Sequence, residues 1–199
     1  QGRVVMQGRI LAAQYINNGK TLTAIFFEDE EGHSDYYTSE GKSLRRSFLR
    51  SPLNYSRISS GFSRSRLHPI LRTYRPHLGI DYAAPSGTSI WAVAEGEVTF
   101  VGWNGGFGRY IKIKHTQGIT TSYGHLYRYA KGIRKGVKVK QGQTIGYVGS
   151  TGLSTGPHLD FRITQNGTYV DFLKTTFPTA SSIKPQYFDA LERRNQNYL

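Results

Sequence analysis

The chain has 199 residues and no internal repeat, enough for one well-cored domain with a small companion. It contains no cysteine, which excludes a disulfide frame and a thiolate metal site and leaves nitrogen and oxygen as metal donors. A formal net charge of +13, scattered rather than gathered in blocks, points to an anionic partner; nucleic acid, acidic lipid and carboxylate-rich cell wall all qualify.

Twenty-three glycines, many aromatic and β-branched residues and few windows of helical period predict a mainly β chain of short strands and tight turns. No apolar run approaches the roughly 20 residues needed to span a bilayer. The start, Gln1-Gly2-Arg3, lacks the apolar core of a signal peptide and also lacks Met, as expected of a trimmed or processed chain.

Strands are expected at Ile10–Ile16 and Thr21–Phe27, joined through Asn18-Gly19, with Tyr36-Tyr37 returning as a third after the turn at Asp29–His33. Three such strands need further packing to be stable. Breakers around Ser51-Pro52 and Ser59-Ser60-Gly61 suggest a connection. The expected division is an N-terminal accessory β module over 1–52, a linker over 53–60, a main domain over 61–178 and a tail over 179–199. Turn-separated strands from Ile90 to Ile163 suit an antiparallel sandwich or barrel. Pro185 at a first helical position, followed by Tyr187, Phe188 and Leu191, predicts one short C-terminal helix.

Six histidines occur, and grouping singles out some of them. His77 and Asp81 share one face of an extended segment, but in a straight strand they would lie about 13 Å apart, too far for one ion. A kink is therefore expected, and Gly79 is the residue that permits it. His158 and Asp160, two apart, fall on one face about 7 Å apart with Leu159 turned to the core. His125 ends another strand and completes the cluster. His68 and His115 match no such group and read as structural. Gly105-Gly106-Phe107-Gly108 lacks the Gly-Lys-Ser/Thr and the helix of a phosphate loop and reads as a tight turn. Trp91, Trp103, Phe107 and Tyr123 are core or groove wall.

The blocks His77-Leu78-Gly79-Ile80-Asp81-Tyr82-Ala83-Ala84-Pro85, Ser122-Tyr123-Gly124-His125-Leu126 and Gly149–Leu159, in that order, resemble the signature of the lysostaphin/LytM-type zinc metallopeptidases. Ser43–Leu53 is further similar to the MepM-like peptidoglycan DD-endopeptidases. The resemblance implies a β-sheet groove, a single zinc ion bound by His77 and Asp81, and His125 and His158 as catalytic residues flanking it. It also implies an exported protein of the periplasm or cell envelope, acting on peptidoglycan peptide stems rather than nucleic acid, with no membrane span in this chain. The expected activity is endopeptidase hydrolysis of cross-links, with D-Ala–diaminopimelate as the bond.

The family's third ligand is the second His of an H-x-H pair, and Asp160 stands there. Taken as a ligand, Asp160 leaves the zinc shell with no net charge where two His and one Asp leave a single positive charge. That predicts a softened site, binding its ion more weakly or admitting another divalent metal. A metal-free module that binds peptidoglycan or regulates another hydrolase is the alternative. A third reading, a carrier or nucleic-acid-binding barrel, rests on the glycine-turn run Gly136–Gly146 and leaves the His/Asp blocks unexplained.

Overall fold

The computed structural model describes residues 8–67, 73–177 and 182–198; His68 lies outside them. The chain divides into two compact units, residues 1–47 with 177–199, and residues 48–176.

In the first unit, β1 (Ala12–Asn17) and β2 (Lys20–Glu28) form the expected hairpin, with Asn18 and Gly19 both at positive φ in its turn. Strand β3 (Ser34–Tyr37) pairs back onto β2. Between β2 and β3, the Asp29 carboxylate accepts the backbone N–H groups of Glu31 and His33 and so closes the turn. A 3-10 turn at Pro185–Tyr187 leads into α1 (Phe188–Tyr198). Three strands alone would be marginal, and here Ile183 and Leu191 join Ile25 and Phe27 in one buried cluster. Arg194 of α1 also donates to the Phe26 carbonyl at 3.1 Å.

The second unit carries β4 (Arg57–Ser60), β5 (Ser63–Leu67), β6 (Tyr74–His77), β7 (Ile80–Ala83), β8 (Ser89–Trp91), β9 (Gly96–Trp103) and β10 (Arg109–Lys114). There follow β11 (Ile119–Gly124), β12 (Leu126–Tyr129), β13 (Lys138–Val139), β14 (Thr144–Val148), β15 (His158–Gln165) and β16 (Thr168–Tyr169). An eight-stranded antiparallel sheet runs β13-β9-β10-β11-β15-β7-β4, with β16 on the side of β15. A three-stranded sheet, β12-β14-β8, and a two-stranded one, β5-β6, accompany it.

The alternation of β15 explains the placing of the site. Leu159, Phe161 and Ile163 are fully buried with Ile80, Tyr82, Ile111, Ile113 and Tyr123, so His158, Asp160 and Arg162 must face the other way. Each buried side chain of this size contributes about 1.5–3 kcal/mol.

Two expected boundaries are corrected. Residues 53–60 are no linker, because Arg57–Ser60 pairs with β7, with a register shift between Ile58 and Ser60, and Leu53 is buried; the polar sequence of an edge strand hid the pairing. The C-terminal helix is no separate tail, since its apolar stripe is part of the first unit's core.

Phe161 packs its ring against Tyr82, Tyr123 and Phe172. Phe161→Ala should cost about 3–5 kcal/mol, read as a drop in the denaturant midpoint with an unchanged slope.

Candidate metal centre

Strands β7 and β15 run antiparallel with Asp81 directly opposite Asp160, so two carboxylates face each other across the ladder. On the other flank Asp160 lies opposite Gly124, which has no side chain to crowd it. His77 closes β6 and reaches the pair because the chain bends at Gly79, sending β6 and β7 into different sheets. The expected kink is present. Glycine is needed there because of crowding: a Cβ on Gly79 would sit 2.7 Å from Cγ of Arg162 and 2.9 Å from the Phe161 carbonyl oxygen.

His77, Asp81 and Asp160 are each at most 8% exposed. His77 Nε2 lies 3.0 Å from Asp81 Oδ1 and 3.7 Å from Asp160 Oδ2, and all three donor atoms fall within 4.8 Å of one another. Donors about 3.3 Å apart suit a tetrahedral ion bonded at about 2.0–2.1 Å, so the set fits a divalent metal such as zinc. His77 Nδ1 sits 2.9 Å from the Gly61 carbonyl, which takes its proton and turns Nε2 toward the carboxylates.

Burial opposes a charge on His77, but hydrogen bonds to Asp160 and Asp81 prevail and raise its pKa to about 9. Burial likewise opposes a charge on Asp160, yet the Arg162 guanidinium and His77 hold that carboxyl far below the usual carboxylate range. Arg162 contacts Asp160 through both oxygens, Nε to Oδ1 at 2.7 Å and Nη2 to Oδ2 at 2.9 Å. Its guanidinium lies 4.4 Å from the centre of the Phe107 ring. Arg162 thus places a positive charge directly against Asp160, which a count of the donors alone leaves out. The signal was in the sequence, since residue 162 stands two after Asp160 on the same strand face.

His125 sits between β11 and β12 at φ +61°, a left-handed backbone uncommon for a residue with a Cβ. Its Nδ1 meets the Thr151 carbonyl at 2.6 Å, and burial lowers its pKa. Its ring centre lies 4.7 Å from that of His158, whose Nδ1 meets the Gly156 carbonyl at 2.8 Å. His158 Nε2 approaches Asp81 Oδ1 at 4.0 Å. All five residues singled out from the sequence thus converge.

They line a groove of about 720 Å³ with Arg57, Arg75, Phe107 and Leu153 on its walls. Two loops form one wall: Leu153 N–H donates to the Gly106 carbonyl, and Cβ atoms on Gly108 or Gly152 would fall 2.4 Å from backbone of the facing loop. Phe107 is groove wall and Tyr123 is core, while Trp103 is exposed. His115 is structural, held between the Glu95 carbonyl and Thr121 Oγ1 at 2.7 Å each.

Residues 75–172 match the model of peptidase family M23. The catalytic domain of lysostaphin from Staphylococcus simulans is 33% identical with a TM-score of 0.52, the match covering 60% of this chain and 92% of that one. The chain belongs to peptidase family M23. A zinc-containing peptidase of Vibrio cholerae aligns with this M23 chain at a TM-score of 0.63 and 34% identity, over 85% of this chain and 51% of its own. The peptidoglycan DD-endopeptidase ShyC of Vibrio cholerae is 42% identical over 183 residues, 92% of this chain. This M23 chain spans 41% of the length of that curated relative.

In this M23 site, Gly79→Ala should displace Arg162 and destabilise the fold by about 1–3 kcal/mol, seen as a lower thermal midpoint.

Proposed function

We propose that this M23 chain is a metallo-endopeptidase that hydrolyses peptide cross-links of peptidoglycan, with one divalent ion, zinc first among candidates, held by His77, Asp81 and Asp160. The observation that carries this reading is the convergence of three buried donor atoms from β6, β7 and β15 on the floor of an open groove. When bound, such an ion supplies a Lewis acid that polarises a carbonyl and brings the pKa of water toward neutrality.

The chain's own residues do the rest. His125 and His158 each donate the Nδ1–H to a backbone carbonyl, which leaves both Nε2 atoms bare as acceptors. Burial lowers the His125 pKa and so favours the neutral ring, whose Nε2 can take a proton from water and pass it on to the departing amine. His158, beside Asp81, orients the water by accepting from it at the bare Nε2. Arg57 and Arg75 are exposed on the groove wall and offer cations to the free carboxylates of peptide stems.

The D-Ala–diaminopimelate bond is the proposed target, in keeping with the name of the Vibrio cholerae relative. The proposed setting is the periplasm or cell envelope. Among the described residues no helix is long and apolar enough to cross a membrane. A purely binding role is disfavoured because the metal-donor set and both flanking histidines are present together.

Digestion of purified sacculi should release cross-linked muropeptides as separated stems, identified by mass spectrometry. A chelator should stop it and added zinc restore it. Pelleting with sacculi without any release would sink the peptidase reading. His125→Ala should lower kcat/KM by at least about 100-fold while leaving the thermal midpoint within a few degrees.

The raised His77 pKa gives a further outcome. Below about pH 9 that ring is protonated, and an ion must expel the proton to reach Nε2. Calorimetry at pH 7 in buffers of different ionisation heat should show about one proton released per ion, and apparent affinity should rise about tenfold per pH unit until pH 9.

A further inference from the structure

Asp160 is an acidic residue where a neutral imidazole would serve, and its strand neighbour Arg162 is locked onto it. The guanidinium takes both carboxylate oxygens at 2.7 and 2.9 Å, stacks on Phe107 at 4.4 Å, and fits only because Gly79 has no Cβ. Its side chain is 15% exposed, so the charge is poorly screened by water. Yet Asp160 Oδ2 still lies 3.7 Å from His77 Nε2, and an ionised carboxylate has about four lone-pair positions, so the fork leaves room for a metal on Oδ2.

We propose that Arg162 is a positioning residue that acts through Asp160: it fixes the carboxylate as a metal donor and returns the positive charge that a second acidic ligand removes. This rests on the metal-site reading above. The two acidic donors cancel an ion's double charge, and the guanidinium restores one positive unit. That equals the residual charge left by two histidines and one aspartate. The Asp160–Arg162 pair is then an electrostatic equivalent of one neutral ligand, built from two residues two apart on one strand.

A ligand-only view and a charge view predict different orders of zinc affinity. Protein charge around the ion is one negative unit in the wild type, two in Arg162→Gln, none in Asp160→His, and again one in the double variant Asp160→His/Arg162→Gln. Competition with a chromogenic chelator should therefore give Arg162→Gln the tightest binding, by at least about tenfold over wild type, since a unit charge has been removed within a few Å of the ion. Its kcat on sacculi should fall by at least about tenfold, because a less positive ion polarises the carbonyl less. Arg162→Lys, which keeps the charge, should stay near wild type in affinity.

Asp160→His alone buries an unpaired guanidinium and can fail to fold, so the decision rests on the other three variants, each checked by thermal unfolding of the metal-free protein. The double variant should recover both wild-type affinity and kcat. Loss of affinity and activity together in Arg162→Gln, with no recovery in the double variant, would mean a plain structural strut and overturn the proposal. Wild-type protein that binds zinc but leaves sacculi intact would refute the peptidase reading while the affinity order still decides the role of Arg162. Wild-type protein that takes up no zinc would overturn both.

Discussion

Two buried carboxylates stand directly opposite each other on neighbouring strands, and like charges so placed repel unless cations lie against them. Much of the second unit's local geometry answers that demand. The bend at Gly79 brings His77 to one side of the pair, and the alternation of β15 sets Arg162 on the other. The arrangement gives up the easier course of an apolar sheet face. What it gains is a buried cluster in which donor atoms of His77, Asp81 and Asp160 lie within 4.8 Å of one another.

Around that frame, most of the geometry is set by backbone. Gly61, Thr151 and Gly156 each lend a carbonyl to the Nδ1 of one histidine, so backbone orients all three rings. His125 occupies a left-handed backbone position to point into the groove, a strain of order 1 kcal/mol that the surrounding ladders β11–β15 and β12–β14 can absorb. Loops alone would hold these rings less rigidly than strands anchored in a core of Phe161, Tyr82 and Tyr123.

The strands with clear alternation and turn signals were legible from the residues, including the first hairpin with its Asn-Gly turn and the face shared by His158 and Asp160. Local period carries that information directly. Edge strand β4 was not legible, because its polar residues look like a connection until β7 is there to pair with them. The place of the C-terminal helix was also hidden, since it depends on partners more than 150 positions earlier in the chain. Within the site, the kink at Gly79 followed from distance alone, whereas the contact of Arg162 with Asp160 escaped a reading that counted donors without their neighbours. Charge at a buried centre belongs to everything within a few Å of it, and the strand periodicity that pointed to His158 and Asp160 also pointed to residue 162.

The wall made by the Gly106–Gly108 turn and the loop through Gly152 has a consequence for how such a groove can change. Backbone meets backbone there with no room for a side chain on either glycine, so neither loop can shift without the other. The width of the cleft on that side is therefore a shared property of two distant stretches of sequence. Single substitutions can retune the surface it shows, through Phe107 or Leu153, but widening the cleft requires coordinated change in both loops. Such a cleft is thus quick to adjust in its surface chemistry and slow to adjust in its shape.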